Sequence, residues 1–166
     1  LSLGGDENLI YYRDCADYRR LRDFARNHHR FAVLGAGFIG SEIAAGLASN
    51  DKDVTLIFPE TVIGGPMLPT AFARALIDYF EDRGVTVLPE HKPRKIERDN
   101  RHINIECEDG REIAVDAVIA GLGIAPNTDL ATDAGLNVNN GIVVDDHLRT
   151  SNADVFAAGD AADFYC

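Results

Sequence analysis

Three closely spaced glycines have the types and the spacing of a loop that binds a diphosphate. Gly35, Gly37 and Gly40 form a Gly-x-Gly-x-x-Gly pattern, and a carboxylate, Glu60, follows twenty residues later. In such a loop the first glycine permits a tight turn, the second lets the backbone approach a pyrophosphate, and the third lets a helix pack closely on a strand. The free N–H groups at the helix start favour the anion, and the helix dipole adds about 0.3–1 kcal/mol.

The residues around these glycines have the pattern that a dinucleotide-binding βαβ unit requires. Residues 31–34 are an apolar strand candidate, apolar residues recur at helical spacing from residue 39 to residue 50, and residues 54–58 have β-rich composition. The glycine spacing alone is weak evidence for a nucleotide site, because a glycine turn that only permits close packing can have the same residues. The strand before it and the helix after it favour the nucleotide interpretation.

Glu60 lies where a carboxylate accepts hydrogen bonds from both hydroxyls of an adenosine ribose. A 2′-phosphate there would meet a like charge, and residues 61–65 contain no arginine that could pair with it. The sequence therefore predicts NAD rather than NADP as the ligand. The alternative is a solvated loop glutamate.

A second pair of glycines follows another apolar strand candidate, residues 117–120. Gly121, Leu122 and Gly123 come directly after it, so their loop opens at the carboxyl edge of the sheet, where ligands of such folds bind. Glycines at this place permit backbone contact with the nicotinamide half of the cofactor. An ordinary turn is the alternative.

Asp160 lies in a third segment that could bind a ligand. Residues 155–158 are predicted to form a strand that ends in Gly159-Asp160, with residues 161–162 beginning a helix. A carboxylate at that junction either holds a hydroxyl of a polyol ligand or caps the helix. Physical reasoning leaves both roles open.

Helical and strand patterns alternate along most of the chain. The periodicity predicts helices at 17–27, 39–50, 68–83 and 128–134, and strands at 31–34, 54–58, 85–88, 117–120 and 142–144. Three short strands are predicted at 95–98, 102–106 and 112–115, joined by turns at 99–100 and 109–110. Residues 1–14 show no period and are predicted to be irregular. The chain is therefore predicted to be an α/β protein with a doubly wound, mostly parallel Rossmann-like sheet, partly covered on one face by a small antiparallel β-meander.

Composition and charge exclude several classes of function. The 166 residues carry a net charge of −11, which argues against nucleic acid, because affinity for it comes mainly from Lys and Arg. No apolar run reaches the roughly 20 residues that span a bilayer, so no membrane span is predicted. Cys15, Cys107 and Cys166 are widely separated and odd in number, which favours reduced thiols, a buried Cys107 and a cytoplasmic location. The five histidines have no metal or triad spacing, so neither a metal site nor a catalytic residue is predicted.

Together the three motifs resemble those of the FAD-dependent pyridine nucleotide oxidoreductases, over about residues 31–165. The tripeptide Phe-Pro-Glu at 58–60 and the segment 159–165 are most similar to the apoptosis-inducing-factor branch, and the NADH-dependent ferredoxin and rubredoxin reductases are close neighbours. The resemblance implies an FAD/NAD(P)-binding fold with NAD(H) and FAD as cofactors. It also implies that NAD is contacted by Gly35, Gly37, Phe38, Ile39, Gly40, Glu42 and Glu60.

The resemblance further implies roles for three side chains. Phe38 would lie against the nicotinamide, between it and the flavin, and Glu42 would help to fix the carboxamide side. Asp160 would hold the ribityl chain of FAD. The plain alternatives are a core role for Phe38 and, for Glu42, a solvated acid in the first turn of a helix.

One departure from the family pattern concerns FAD. The family builds its FAD site from an N-terminal glycine loop and the Gly-Asp segment, and residues 1–5 lack the context of such a loop. We expect an irregular segment and a short helix at 1–30, an NAD-binding domain at 31–145 and, at 146–166, a return segment towards an FAD domain that the chain lacks. The isolated chain is expected to bind NAD(H) but not FAD, and to be inactive without that domain.

The function implied by the resemblance is hydride transfer. The domain would place NADH for transfer to the flavin, and electrons would pass on to ferredoxin, rubredoxin or a quinone. The alternative is an NAD(H)-responsive binding or signalling module with slow turnover, of the apoptosis-inducing-factor type. A dehydrogenase with its own substrate domain is disfavoured, because the sequence contains no such domain. The oligomeric state, including a homodimer, is left open.

Overall fold

The computed structural model describes residues 9–99 and 102–164. The chain divides into two compact units, a first that ends at Gly123 and a second that begins at Ile124. The predictions made for Asn100, residues 1–8, Tyr165 and Cys166 lie outside the described residues.

The described residues contain ten strands, four α-helices and two short turns of 3-10 helix, Gly65–Met67 and Gly159–Ala161. In chain order the strands are β1 (Leu9–Tyr11), β2 (Arg30–Leu34), β3 (Asp53–Ile57), β4 (Val85–Leu88), β5 (Pro93–Arg98), β6 (Ile103–Cys107), β7 (Glu112–Val115), β8 (Ala117–Ala120), β9 (Ile142–Val143) and β10 (Ala162–Asp163). The helices are α1 (Cys15–Asn27), α2 (Phe38–Ala48), α3 (Thr70–Glu81) and α4 (Asp129–Asp133). Within the ranges described, none of these helices is long and apolar enough to cross a membrane.

The first unit is built around a five-stranded sheet in the order β1-β8-β2-β3-β4. Each neighbouring pair in it is parallel. Strand β2 lies at its centre, and Phe31, Ala32, Val33 and Leu34 are all buried. Burial on both faces is typical of parallel sheets that are covered on both sides.

Helices cover one face of this sheet and the meander covers the other. Leu21 of α1, Ile43 of α2 and Phe80 of α3 belong to the buried cluster on the first face. Ile103 and Ile105 of β6 belong to the cluster on the second face. Strands β5, β6 and β7 form an antiparallel three-stranded sheet, as predicted. The predicted fold class is therefore confirmed.

The irregular segment predicted at the N-terminus is wrong for residues 9–11, which form β1. They pair in parallel with residues 118–120 of β8, and Leu9 and Ile10 are buried. Three residues are too few to show a period, and their burial depends on a partner strand more than one hundred residues away. The division of the chain at residues 30 and 145 stays a prediction.

Helix α1 begins two residues earlier than predicted because Asp14 caps it. The Asp14 carboxylate accepts hydrogen bonds from the N–H groups of Ala16 at 2.7 Å and Asp17 at 2.9 Å. The Asp17 carboxylate accepts the Asp14 N–H at 3.2 Å, which completes a capping box. Helix α3 begins at Thr70 rather than residue 68, because Pro69 stands before its first turn with a ψ of 131°, which is far from the helical range.

The second unit corrects the prediction around Asp160. Strand β9 pairs in parallel with β10, and Phe156 makes a single bridge with Arg149. The strand predicted at 155–158 and the helix predicted from 161 are therefore wrong. Gly159, with φ of +74°, begins a turn of 3-10 helix over Gly159–Ala161, and the chain then enters β10. The chain continues as a strand here because residues 162–163 pair with β9, and no local sequence pattern reveals that pairing.

A charged cluster around Asp116 holds the amino end of the sheet. The Asp116 carboxylate accepts hydrogen bonds from the N–H groups of His29 at 3.1 Å and Arg30 at 3.0 Å, and from the Arg30 guanidinium at 2.8 Å. Burial alone would raise the pKa of Asp116, but these hydrogen bonds and the charge of Arg30 outweigh it and hold that pKa well below its ordinary range. The cluster lies at the edge opposite to the glycine loop, which indicates a structural role.

The two cysteines in the described part of the chain differ in exposure. Cys107, the last residue of β6 in the meander, is buried, as predicted, whereas Cys15 is exposed. Burial raises the pKa of the Cys107 thiol; the charge of Asp109 raises it further, and the charge of Arg111 opposes both. A buried thiol of this kind is chemically quiet.

Candidate nucleotide-binding site

The candidate site lies at the carboxyl edge of the parallel sheet, where β2, β3 and β8 end side by side. The register pairs Leu34 with Ile57 of β3 and with Ala120 of β8. The Gly35 N–H donates to the carbonyl oxygen of Ile57 at 2.8 Å, and the Gly121 N–H donates to that of Leu34 at 2.8 Å. The structure thus brings three predicted segments to one edge: 35–40, 58–60 and 121–123.

Three of the glycines pack backbone against backbone. A Cβ added to Gly35, which has φ of +90°, would lie 2.4 Å from the carbonyl oxygen of Gly121. A Cβ on Gly40 would lie 1.9 Å from the carbonyl oxygen of Gly35, and one on Gly121 would lie 3.1 Å from the Cα of Gly40. Side chains at Gly35 and Gly40 are therefore excluded by contact, and one at Gly121 would be tightly crowded. The first and third glycines of the motif have the roles that the sequence analysis gave them.

Gly37 differs from these three glycines. Its φ of −72° suits any residue, and a Cβ there would have no atom within 4 Å. It is the N-cap residue of α2, and a glycine has no side chain that could accept hydrogen bonds from the first turn. Packing does not require glycine at this position. The open space beside a helix start that has no side-chain cap is suited to an anion.

Two apolar side chains are exposed beside the glycine loop. Phe38, at the start of α2, is 64% exposed, and Leu122, in the loop after β8, is 56% exposed. The core role considered for Phe38 is therefore wrong. Gly123 follows with φ of +90°, and a Cβ there would meet nothing within 4 Å. An exposed aromatic ring and an exposed leucine give this edge an apolar surface that could contact a planar ring.

Glu60 lies in the loop after β3, and this loop is anchored to the glycine loop. The Gly64 N–H donates to the carbonyl oxygen of Ala36 at 2.8 Å, and Ile63 is buried. The Glu60 side chain is exposed and passes close to Gly65, where a Cβ would lie 3.3 Å from the Cγ of Glu60. The predicted ribose acid therefore stands at the same edge as the glycines.

Ile39 and Glu42 lie on the side of α2 that faces α1. Both line a groove of about 690 Å³ between these two helices, together with Tyr18, Arg22 and Lys52 among others. Glu42 is exposed there. Its predicted contact with the carboxamide of the cofactor stays a prediction.

Asp160 belongs to the second unit. It is exposed and lies inside the 3-10 turn rather than at its N-cap, which is Ala158. The capping role is therefore wrong, and the contact with FAD stays a prediction. The same unit contains a group of three exposed side chains whose ligand atoms lie within 4.8 Å of one another, namely Asp145, Asp146 and His147. Exposed acidic groups of this kind are common without a metal ion.

Sequence reasoning missed the contacts that hold Glu60 from the segment that follows the neighbouring strand β4. The Glu90 N–H donates to the carbonyl oxygen of Glu60 at 3.0 Å, and the His91 N–H donates to that of Phe58 at 3.1 Å. Glu90 has φ of +59°, which is uncommon for a residue other than glycine. These contacts depend on the register of β3 with β4, so no local sequence signal could have identified them.

A parallel sheet with a glycine loop at its carboxyl edge, helices on one face and a meander on the other defines the class of FAD/NAD(P)-binding domains. The family model described as pyridine nucleotide-disulphide oxidoreductase matches residues 1–165. The chain belongs to this family, and the resemblance found in the sequence is confirmed.

One curated relative and two solved structures support this assignment to the family. The nitric oxide reductase FlRd-NAD(+) reductase of Escherichia coli O6:H1 is 36% identical over 159 residues, which are 96% of this chain and 42% of that protein. The covalent complex of putidaredoxin reductase with putidaredoxin contains a chain with a TM-score of 0.89 and 31% identity, covering 96% of this chain and 39% of that one. The water-forming NADH oxidase of Lactobacillus brevis, in its structure bound to NADH, has a TM-score of 0.87 and 28% identity. The match covers 95% of this chain and 35% of that one. The chain thus spans about two fifths of the length of its curated relatives.

Proposed function

We propose that this chain binds NAD(H) within an FAD-dependent oxidoreductase and places the nicotinamide for hydride transfer to the flavin. The names of the relatives support the nicotinamide cofactor, since one is an NAD(+) reductase and another is an oxidase bound to NADH. FAD, when bound, supplies the hydride acceptor, and the residues of this chain supply binding and orientation.

The observation that carries this proposal is the contrast among the glycines. Gly35, Gly40 and Gly121 are required by packing, whereas Gly37 faces open space at the start of α2. A glycine that packing does not require is explained by a ligand that approaches the backbone closely. A pyrophosphate at this place would accept hydrogen bonds from N–H groups at the start of α2.

Glu60 is proposed to select NAD over NADP. Its exposed carboxylate can accept hydrogen bonds from the two hydroxyls of a ribose, and it would repel a 2′-phosphate. The proximity of Gly65 and the anchored loop restrict where this carboxylate can lie.

The nicotinamide end of the cofactor is assigned to residues beyond the phosphate loop. Phe38 and Leu122 are proposed to contact the nicotinamide ring, with Gly121 and Gly123 leaving the backbone accessible, and Ile39 and Glu42 to complete the site. The exposure of Phe38 and Leu122 supports this arrangement. Hydride transfer needs no general base, so no catalytic residue is assigned to this chain.

FAD is proposed to be bound by other parts of the parent protein, with Asp160 contributing to the ribityl chain. On this proposal residues 31–145 are the NAD-binding domain and 146–166 return towards the FAD domain. The purified chain would then bind NAD(H) and carry no flavin. A stoichiometric flavin absorbance in purified material would contradict this part of the proposal.

The electron acceptor is proposed to be a small redox protein, such as a ferredoxin or rubredoxin, or a quinone. One structural relative is crystallised as a complex with putidaredoxin, which favours a protein acceptor. The alternative, an NAD(H)-responsive module with slow turnover, is favoured by the Phe-Pro-Glu tripeptide at 58–60.

Turnover of NADH by the full-length protein separates these two functions. Absorbance at the NADH band is followed in the presence of ferredoxin, rubredoxin and a quinone in turn. Rapid, acceptor-dependent oxidation is expected for the reductase. A long-lived reduced complex with every acceptor would contradict it and support the module.

A further inference from the structure

A histidine just beyond the end of β4 has contacts that the proposed site does not explain. The side chain of His91 is 18% exposed, and its Nδ1 lies 2.6 Å from the carbonyl oxygen of Pro89. Its Nε2 lies 3.2 Å from Oδ2 of Asp109, in the turn between β6 and β7. Both ring nitrogens therefore face an acceptor. Only the imidazolium form carries a hydrogen on both nitrogens.

The segment that His91 belongs to also holds the backbone of Glu60. The Glu90 N–H donates to the carbonyl oxygen of Glu60 at 3.0 Å, and the His91 N–H donates to that of Phe58 at 3.1 Å. Glu90 has φ of +59°, a conformation that persists only where the surroundings enforce it. The ring of His91 contacts the carbonyl group of Pro89, the residue directly before Glu90, and so helps to hold Glu90 in this conformation.

We propose that His91 is a proton-dependent positioning residue for the ribose end of the NAD(H) site, an inference that rests on the function proposed above. The charged ring donates to Pro89 and to Asp109, and thereby ties the loop that carries Glu60 to the meander. When the ring loses a proton, one nitrogen presents a lone pair to an acceptor, and that contact becomes repulsive. In either neutral tautomer the segment at Glu90 loses one of its two ties, to Pro89 or to Asp109, so its hydrogen bond to the backbone carbonyl group of Glu60 is held less firmly.

The proposal gives a definite direction with pH. The charged groups on the segments around the ring are Glu90 and Lys92 beside it in sequence, Glu60 in the loop after β3, and Glu108, Asp109 and Arg111 at the turn between β6 and β7. Carboxylates, ammonium groups and guanidinium groups ordinarily keep their charge between about pH 6 and pH 8.5, whereas histidine ordinarily changes its charge there. The affinity for NADH should therefore fall as the pH rises through this range.

A second hydrogen bond orients the Asp109 carboxylate so that one of its oxygens faces the His91 ring. Its Oδ1 accepts the N–H of Arg111 at 3.1 Å, which leaves Oδ2 towards Nε2 of His91. Lys92, the next residue after His91, pairs with Glu108 at 3.4 Å, so the two segments are joined at a second place. Replacing the ring should therefore loosen the segment at Glu90 without detaching it from the meander.

The test is the pH profile of NADH binding to the full chain, measured by calorimetry from about pH 6 to pH 8.5. For the wild type, we expect the Kd to rise about three- to tenfold, the equivalent of one ordinary hydrogen bond. His91→Gln keeps a hydrogen-bonding side chain that does not titrate, and its profile should be flat. His29→Gln removes an exposed histidine at the other edge of the sheet and should keep the wild-type profile.

A second readout needs no cofactor. The amide of Glu90 should exchange with deuterium about three- to tenfold faster in His91→Gln than in the wild type near pH 6, because its hydrogen bond to Glu60 opens more often. A flat wild-type profile, a wild-type profile in His91→Gln, or unchanged Glu90 protection would each overturn this proposal and leave the NAD(H) site standing. Absence of NADH binding at every pH would overturn both this proposal and the function on which it rests.

Discussion

Substituting Gly37 tests whether its open space receives a ligand. A valine at this position meets no atom within 4 Å at its Cβ, and φ of −72° suits a side chain. The cost to folding should be limited to the poorer N-cap, about 1 kcal/mol or less. The same side chain would occupy the space in which a pyrophosphate approaches the start of α2.

The expected loss of affinity follows from the contacts that the valine would displace. A hydrogen bond to a charged group contributes about 1.5–3 kcal/mol, so the loss of one corresponds to a roughly 10- to 100-fold higher Kd for NADH. Gly46→Val is the matched control, because Gly46 lies on the same helix and a Cβ there also meets nothing within 4 Å. That variant should bind NADH as the wild type does.

The assay is a calorimetric titration with NADH, accompanied by circular dichroism and a thermal melt of each variant. A folded Gly37→Val protein with greatly weakened binding, beside a Gly46→Val protein with normal binding, is expected. If Gly37→Val remains folded and binds NADH as tightly as the wild type, the pyrophosphate does not lie at this loop, and the reasoning from the glycines is refuted.

Three further predictions concern other parts of the chain. Glu60→Arg should weaken NADH about 10- to 100-fold and permit NADPH to bind, and an unchanged NADH titration would remove Glu60 from the site. Asp116→Asn should lower the free energy of unfolding near neutral pH by about 1.5–3 kcal/mol relative to the exposed control Asp78→Asn. Folding lowers the pKa of Asp116, so the difference in unfolding free energy should be fully present above about pH 4, the ordinary range of an aspartate, and should shrink as the pH falls below that value. Denaturant titrations of both variants at several pH values would measure this trend. Iodoacetamide should modify exposed Cys15 in the native chain and leave Cys107 unmodified until the chain unfolds, as peptide mass spectrometry can show; early labelling of Cys107 would contradict its burial.

The features that the sequence predicts best are local ones. The glycine loop, the strands at 31–34 and 85–88 and the meander are each specified by spacing or alternation over a few residues. The roles of Gly35 and Gly40 could be predicted because close approach of backbones leaves no choice of residue. The carboxyl ends of parallel strands lie at one edge of a sheet, and this rule identified the edge at which Glu60 and Gly121 both lie.

The features that the sequence did not reveal depend on distant partners. Strand β1 is too short to show a period, and it becomes a strand only by pairing with β8. The segment 155–158 has the composition of a strand, but the chain turns at Gly159 and pairs through β10 instead. The contacts of Glu90 and His91 with the loop after β3 depend on the register of β3 with β4, which no stretch of sequence encodes by itself.

Calorimetric titration of the well-folded chain with NADH and, separately, with NADPH measures the central claim most directly. We expect saturable binding of NADH, and weaker binding of NADPH because its 2′-phosphate would lie against the Glu60 carboxylate. Absence of heat with both coenzymes, on material whose circular dichroism shows the folded sheet and helices, would contradict the account.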